Sequence, residues 1–298
     1  MTRHLLSLWD LSAEEILSLL NEAQALKGGG ASQLLAGKTL ALIFEKASTR
    51  TKVSFSVAAH RLGAQVVSLD QDSSQLGRGE SYADTARVLS RYVDGIVLRT
   101  YAQENLEEMA AHASVPIING LSDLYHPCQV LADLLTVQEE KGDLAAQTAA
   151  WVGDGNNMCH SWMVAAAQLG FGLQIATPAG REPDPRVANK VEESGGNITL
   201  SHDAQAAVSG ATVINTDTWE SMGQEGQGDV MEVYAGFQVD DALLGHAADG
   251  AIVLHCLPAH RGQEISDAVM DGPQSRVWQQ AENRLWVQMA IMARLMMG

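Results

Sequence analysis

Short runs of aliphatic and β-branched residues recur at even intervals along this chain, and an amphipathic stretch follows almost every one. That alternation constrains the fold more than any other feature. Residues 39–44, 65–69, 95–99 and 116–119 predict one series of strands, and 149–153, 173–177, 212–216 and 251–256 predict a second. Several runs are continuously apolar, the pattern of strands buried on both faces of a parallel sheet. Helical spacing fills the gaps, as at 83–92 and 161–169. Strand–helix alternation of this kind gives a doubly wound α/β architecture. A chain of 298 residues has room for two such domains.

The helical stretch after His126 starts with Pro127, suited to a first turn, and stops at Lys141-Gly142. A fresh strand–helix series begins at Ala149. The expected division is therefore a first domain over 1–141 and a second over 142–278, followed by a long apolar-rich C-terminal helix near 282–297 within the segment 279–298.

Hydrophobic residues make up 46% and charged residues 18%, an ordinary balance for a soluble globular protein. The formal net charge of −17 argues against nucleic acid and anionic membrane surfaces as partners. It also means that an anionic substrate must be held by local arginines and backbone amides. No apolar run is long enough to cross a bilayer, and the first residues lack the pattern of a signal peptide. Cys128, Cys159 and Cys256 are odd in number and have no C-x-x-C spacing, which suits reduced thiols rather than disulfides or a structural zinc. A cytoplasmic protein is expected.

Five short segments carry chemistry. Ser48-Thr-Arg-Thr51 follows a strand and opens a helix, where hydroxyls, free N–H groups and the planar Arg50 fork suit an anion. Read alone, the tetrapeptide is equally a helix cap. Arg99 ends a strand, a common ligand-binding position in open α/β sheets and also an ordinary place for a solvated charge. In His126-Pro-Cys-Gln129, His126 and Gln129 share a helix face. Asp154-Gly-Asn-Asn157 follows a strand but lacks the third glycine of a dinucleotide loop, and it also reads as a plain turn. Asp217 begins Asp217-Thr-Trp-Glu-Ser-Met-Gly-Gln-Glu225, and Cys256 lies in His255-Cys-Leu-Pro258. A cysteine at a strand end is commonly a small core residue.

Taken in order, these five segments resemble the ornithine carbamoyltransferase family, from about Leu5 to about Met296. The resemblance implies two doubly wound parallel-sheet domains, with the C-terminal helix packing back on the first. It implies transfer of the carbamoyl group of carbamoyl phosphate to the δ-amine of L-ornithine, giving L-citrulline and phosphate. No metal or organic cofactor is implied. Ser48, Thr49, Arg50, Thr51 and Arg284 would hold phosphate. Thr51, Arg99, His126 and Gln129 would surround the carbamoyl group, with Leu257 offering its carbonyl to the NH₂. Gln75 matches a glutamine that reaches a neighbouring subunit's site, although Arg78-Gly79 stands where many relatives carry His-Lys. Asn157, Ser221 and Met222 would take the α-carboxylate of ornithine and Asp217 the α-ammonium, while Cys256 would lie near the δ-amine and also against carbamoyl phosphate. Arg99, His126, Asp217 and Cys256 are the catalytic residues that the resemblance implies. A homotrimer, or a multiple of trimers, is implied as well.

Three other readings remain open on the sequence. A related transferase could use putrescine or a modified ornithine. The intact Arg50, His126, Asp217 and Cys256 argue against a non-catalytic metabolite-binding homologue, which binding without turnover would establish. A nucleotide-binding oxidoreductase rests on fold class alone.

Overall fold

The computed structural model describes residues 2–29, 33–70, 75–220 and 230–297. The chain divides into two compact units, Met1–Leu135 with Asn283–Gly298, and Thr136–Glu282.

The first unit starts with α1 (Ala13–Lys27), a helix closed at its head by a capping box between Ser12 and Glu15. It continues through β1 (Thr39–Phe44), α2 (Thr49–Arg61), β2 (Gln65–Asp70), α3 (Tyr82–Leu89), β3 (Gly95–Arg99), α4 (Gln103–His112), β4 (Ile117–Leu121) and the first part of α5 (Pro127–Lys141). The four strands form a parallel sheet in the order β2-β1-β3-β4. β3 is buried at every position and β1 at all but its first, which explains their unbroken apolar runs. Leu5 covers the β4 edge through backbone bonds with Ile117 and Asn119. The opposite edge strand, β2, is largely exposed.

The second unit holds β5 (Thr148–Val152), α6 (Asn157–Leu169), β6 (Gly172–Ala176), α7 (Pro185–Glu193), β7 (Ile198–Ser201), α8 (Ala204–Val208) and β8 (Val213–Thr216). It ends with α9 (Val230–Val233), α10 (Asp241–Leu244), β9 (Ile252–His255), α11 (Asp267–Met270) and the first residues of α12 (Val277–Met296). Its sheet is again parallel, in the order β7-β6-β5-β8-β9. The core here gathers Ile214, Val253, Trp219, Tyr234 and Ile265 with the alanines of β5, β6 and α8.

The two-sheet, all-parallel architecture matches the expectation, with strand ends shifted by a residue or two. β7 is an addition; its short, half-exposed Ile-Thr-Leu-Ser run gives little signal in sequence. The C-terminal helix does pack on the first unit. Arg294 donates to the Glu15 carbonyl and the Ser18 hydroxyl, and Arg61 sits 4.8 Å over the Trp286 ring. Met296 lies so close to Gly95 that a Cβ there would meet its sulfur at 3.0 Å. Glycine at the head of β3 is what admits this contact.

Candidate active site

In each sheet the strand order reverses once, and several of the segments singled out by sequence leave the sheets at those two places. In the first unit the reversal falls between β1 and β3, where neighbouring loops leave in opposite directions and open a crevice at the carboxyl ends. The Ser48–Thr51 segment leaves β1 there, and Arg99 closes β3 there. In the second unit it falls between β5 and β8, whose ends lead into Asp154–Asn157 and Asp217.

Ser48 caps α2, its hydroxyl accepting from the Thr51 N–H at 3.3 Å. Capping and anion binding are compatible, because N–H groups of the first turn still have no helical carbonyl partner. Thr49 and Arg50 are exposed at this helix head, whereas Thr51 is buried. Arg284, on α12, donates through Nη2 to Thr51 Oγ1 at 2.7 Å and through Nη1 to Gln129 Oε1 at 2.5 Å. The Gln129 amide in turn donates to Asp133 Oδ1 at 2.8 Å. Asp133 is fully buried and lies one helical turn beyond Gln129 on α5. It fixes which end of the Gln129 amide faces Arg284. Thr51, accepting from a guanidinium, keeps its own hydroxyl proton for another acceptor.

Arg99 and Arg284 are each only 4% exposed, so two cations stand out of water at this crevice. His126 shares their field. Burial, then Arg284 and Arg99, hold its imidazole well below the usual histidine range. It is therefore neutral near pH 7 and able to donate one N–H without carrying charge. Cys128 is buried behind it, pushed up to about 12 chiefly by burial, so it is a core thiol. Beside the loop, Glu45 accepts from the Tyr82 hydroxyl at 2.5 Å and from the Thr100 hydroxyl, and Lys46 pairs with Asp123 under the Tyr101 ring. These supports have no signature in the sequence. Gln75 is exposed at the head of a short 3-10 turn, and among the described residues nothing ties it to the Thr51 cluster.

In the second unit Asp217 is buried and holds two partners, Asn156 Nδ2 on Oδ2 at 3.0 Å and Cys256 Sγ on Oδ1 at 2.9 Å. Asn156 also caps α6 with its side-chain oxygen. Sequence reasoning chose Asn157 from this pair; it occupies the first turn of α6, while its neighbour is the one that touches Asp217. Gly155 has an ordinary φ, and its need is for space. A Cβ there would come within 2.4 Å of the Glu182 and Pro183 backbone. Ser221 and Met222 lie outside the described residues.

His255 Nδ1 accepts from the Leu257 N–H at 2.9 Å, which leaves the ring proton on Nε2, 3.0 Å from Glu264. Leu257 has φ 62, a left-handed conformation that costs a branched residue about 1 kcal/mol, and this bond helps to hold it. One donor atom each from Asp217, His255 and Cys256 lies within 4.8 Å of the others, a set that could ligate a metal. Within that set Cys256 Sγ is directed at Asp217, while the two ring nitrogens of His255 face Leu257 and Glu264.

Comparison with known proteins identifies the relatives of this chain. Residues 3–139 match the family model described as aspartate/ornithine carbamoyltransferase, carbamoyl-P binding domain, and residues 145–295 match its Asp/Orn binding domain. The chain is 56% identical over 304 residues to an ornithine carbamoyltransferase of Pelobacter propionicus, covering 100% of both chains. It is 52% identical to one of Methanocorpusculum labreanum, covering 99% of both. Among solved structures it is similar to the ornithine carbamoyltransferase of Pyrococcus furiosus, with a TM-score of 0.94, 49% identity, and coverage of 99% of this chain and 97% of that one. The anabolic enzyme of Campylobacter jejuni gives 0.94 and 41%, covering 99% of both chains.

Proposed function

The chain belongs to the aspartate/ornithine carbamoyltransferase family, and we propose that its two units divide the transfer of a carbamoyl group from carbamoyl phosphate to L-ornithine in the following way. The overall reaction yields L-citrulline and phosphate. The δ-nitrogen attacks the carbonyl carbon, the C–N bond forms, and the carbonyl oxygen takes the negative charge. The tetrahedral intermediate then collapses by breaking the bond to the phosphate oxygen, and the proton lost by nitrogen ends on phosphate.

Ser48, Thr49, Arg50 and Arg284 bind the phosphate, and Gln75 serves the site of a neighbouring copy. Thr51, Arg99 and His126 donate to the carbonyl oxygen. A neutral His126 suits this task, because an imidazole N–H polarises a carbonyl without protonating it. Gln129 and the Leu257 carbonyl take the carbamoyl NH₂. Asp217 binds the α-ammonium of ornithine, Asn157, Ser221 and Met222 its carboxylate, and Cys256 lies beside the δ-amine, its thiol already directed at Asp217. On this assignment residues 1–141 with 279–298 serve carbamoyl phosphate, and 142–278 serve ornithine.

One observation carries this reading: the two crevices have opposite chemistry. One is lined by buried guanidiniums and hydroxyls, the other by a buried carboxylate with amide and thiol donors. That division fits an anionic carbamoyl donor and a cationic amino-acid acceptor. We further assign a homotrimeric state, supported by the exposed β2 edge and by Val53 and Val57, exposed on one face of α2. We assign a cytoplasmic location; among the described residues no helix is long and apolar enough to cross a membrane.

The test is incubation of purified protein with carbamoyl phosphate and, separately, ornithine, N-acetylornithine, putrescine or aspartate. Citrulline from ornithine alone is expected. Product with another acceptor overturns the substrate assignment, and no product with any overturns the enzyme reading.

A further inference from the structure

Tyr234 has no role in the assignments above, yet it closes a ring of contacts around the acceptor crevice. Just past α9, it is 1% exposed, and its ring stacks on Trp219 with centroids 4.9 Å apart and planes 7° apart. Its hydroxyl lies 2.7 Å from Asp154 Oδ1 and 3.1 Å from the Trp219 carbonyl. The single phenolic proton goes to the carboxylate, the stronger acceptor. Asp154 is anchored on its other side, its backbone oxygen accepting from Trp151 Nε1 at 2.9 Å. Gly155 follows in tight backbone contact with Glu182 and Pro183, and Asn156 then donates to Asp217. Asp217 and Trp219 are two residues apart on the chain leaving β8. The circuit is thus closed: Asp217, Trp219, Tyr234, Asp154, Asn156 and back to Asp217.

A phenylalanine would fill the same stack without burying a hydroxyl against a carboxylate. Burial pushes the Asp154 carboxyl up, the Tyr234 hydroxyl and Arg181 draw it down, and Asp217 pushes it up again. Such a pair is costly to bury unless every partner is in place. What the polar link adds over an apolar stack is fixed geometry: it joins the loop after β5 to the chain leaving β8.

We propose that Tyr234 is a positioning residue of the acceptor half-site. Through Asp154 it fixes Asn156, and with it the carboxylate of Asp217, so it governs affinity for ornithine and leaves affinity for carbamoyl phosphate alone. The proposal rests on the assignment of Asp217 to the ammonium of ornithine.

Tyr234→Phe keeps the ring and removes only the hydroxyl. Steady-state kinetics with both substrates varied, inhibition by L-norvaline (the amino-acid end of ornithine without its δ-amine) and thermal unfolding read the effect. A rise of about tenfold in the KM for ornithine and in the norvaline inhibition constant is expected, the effect of an Asp217 carboxylate no longer held in place. The KM for carbamoyl phosphate stays within about twofold on the same argument. Unchanged ornithine and norvaline constants overturn the proposal, and so does a parallel rise for both substrates, which marks a merely structural residue. Should this variant fail to fold, Asp154→Ser removes the same bond from the other side and is held to the same two outcomes. Asp217→Asn runs beside them. If it leaves the ornithine KM unaltered, the half-site assignment itself has failed; if it raises that KM and Tyr234→Phe does not, only the positioning role has.

Discussion

Arg284 donates to the hydroxyl of Thr51 at 2.7 Å, although the two residues stand 233 positions apart in sequence. One lies on α12 and the other in the first turn of α2, and both are almost wholly buried. The C-terminal helix thus supplies a cation to a crevice otherwise built from the first half of the chain. The same guanidinium reaches Gln129 with its other nitrogen, so one planar fork joins α2 to α5.

A lysine at this position tests the fork. Arg284→Lys keeps the charge but offers one point of contact where the native residue offers two. We expect kcat/KM for carbamoyl phosphate to fall by about 10²-fold, with the KM for ornithine little changed. Steady-state kinetics with each substrate varied in turn would check this. An equal loss for both substrates would show that the fork serves general architecture.

Gly155 gives a second prediction, on stability. Its Cβ would sit 2.4 Å from backbone atoms of Glu182 and Pro183, which cannot swing aside as a side-chain tip can. Gly155→Ala should therefore destabilise by about 2 kcal/mol, within the range seen for overpacking, and should disturb Asn156 next to it. Denaturant unfolding reads the first effect and the ornithine KM the second. Gly142, whose φ is 78 with open space around it, makes a useful contrast: alanine there is strained by conformation and not by contact.

The fold was legible because buried parallel strands write their burial as unbroken apolar runs, and β1 and β3 are buried at nearly every position. The half-exposed β7 wrote no such signal. Ser48, Arg99, Asp154 and Asp217 stood out for a related reason, since each ends or follows a recognisable strand and so marks a sheet's carboxyl edge. Their supports were not legible. Tyr234 reaches Asp154 across 80 residues, Glu264 reaches His255 from an irregular loop, and Asn156 differs from Asn157 only in which one points at Asp217. Contacts of that kind follow from how loops return, and no local spacing encodes them. Asp133 was missed as well, although it lies one helical turn from Gln129, a spacing that could have pointed to it.

The third prediction concerns acid stability. His126 is neutral in the folded protein, its folded pKa lowered first by burial and then by Arg284 and Arg99. In the unfolded chain it titrates near about 6.5. Below that pH the unfolded state binds a proton that the folded state refuses, so stability falls as pH drops from about 6.5 toward the folded value. The contribution approaches about 1.4 kcal/mol per pH unit in that window and vanishes above it. Urea titrations from pH 8 to 5 should show a flatter acid limb for His126→Gln than for the native protein. Identical limbs would mean that His126 accepts a proton in the folded state.

The last prediction concerns the attacking nitrogen. Ornithine's δ-ammonium resembles a lysine side chain, with a pKa near about 10.4, so at pH 7 only about one molecule in 2,500 carries a neutral δ-amine. Only that form has a lone pair for the carbonyl carbon. On the proposed assignment Asp217 serves the α-ammonium and does not take the δ-proton, and the Cys256 thiol is directed at Asp217. The protein therefore has to draw on the small neutral fraction. At subsaturating ornithine the rate should climb about tenfold per pH unit between pH 7 and about 8.5, while kcat/KM for carbamoyl phosphate follows a shallower course. Cys256→Ala should lower the rate at each pH and keep the slope, because the slope belongs to the substrate. A profile flat from pH 7 to 9, with chemistry shown to be rate-limiting, would mean that the ammonium form binds and is deprotonated in place. A pH slope appearing in Cys256→Ala would then identify the thiol as the group that takes the proton.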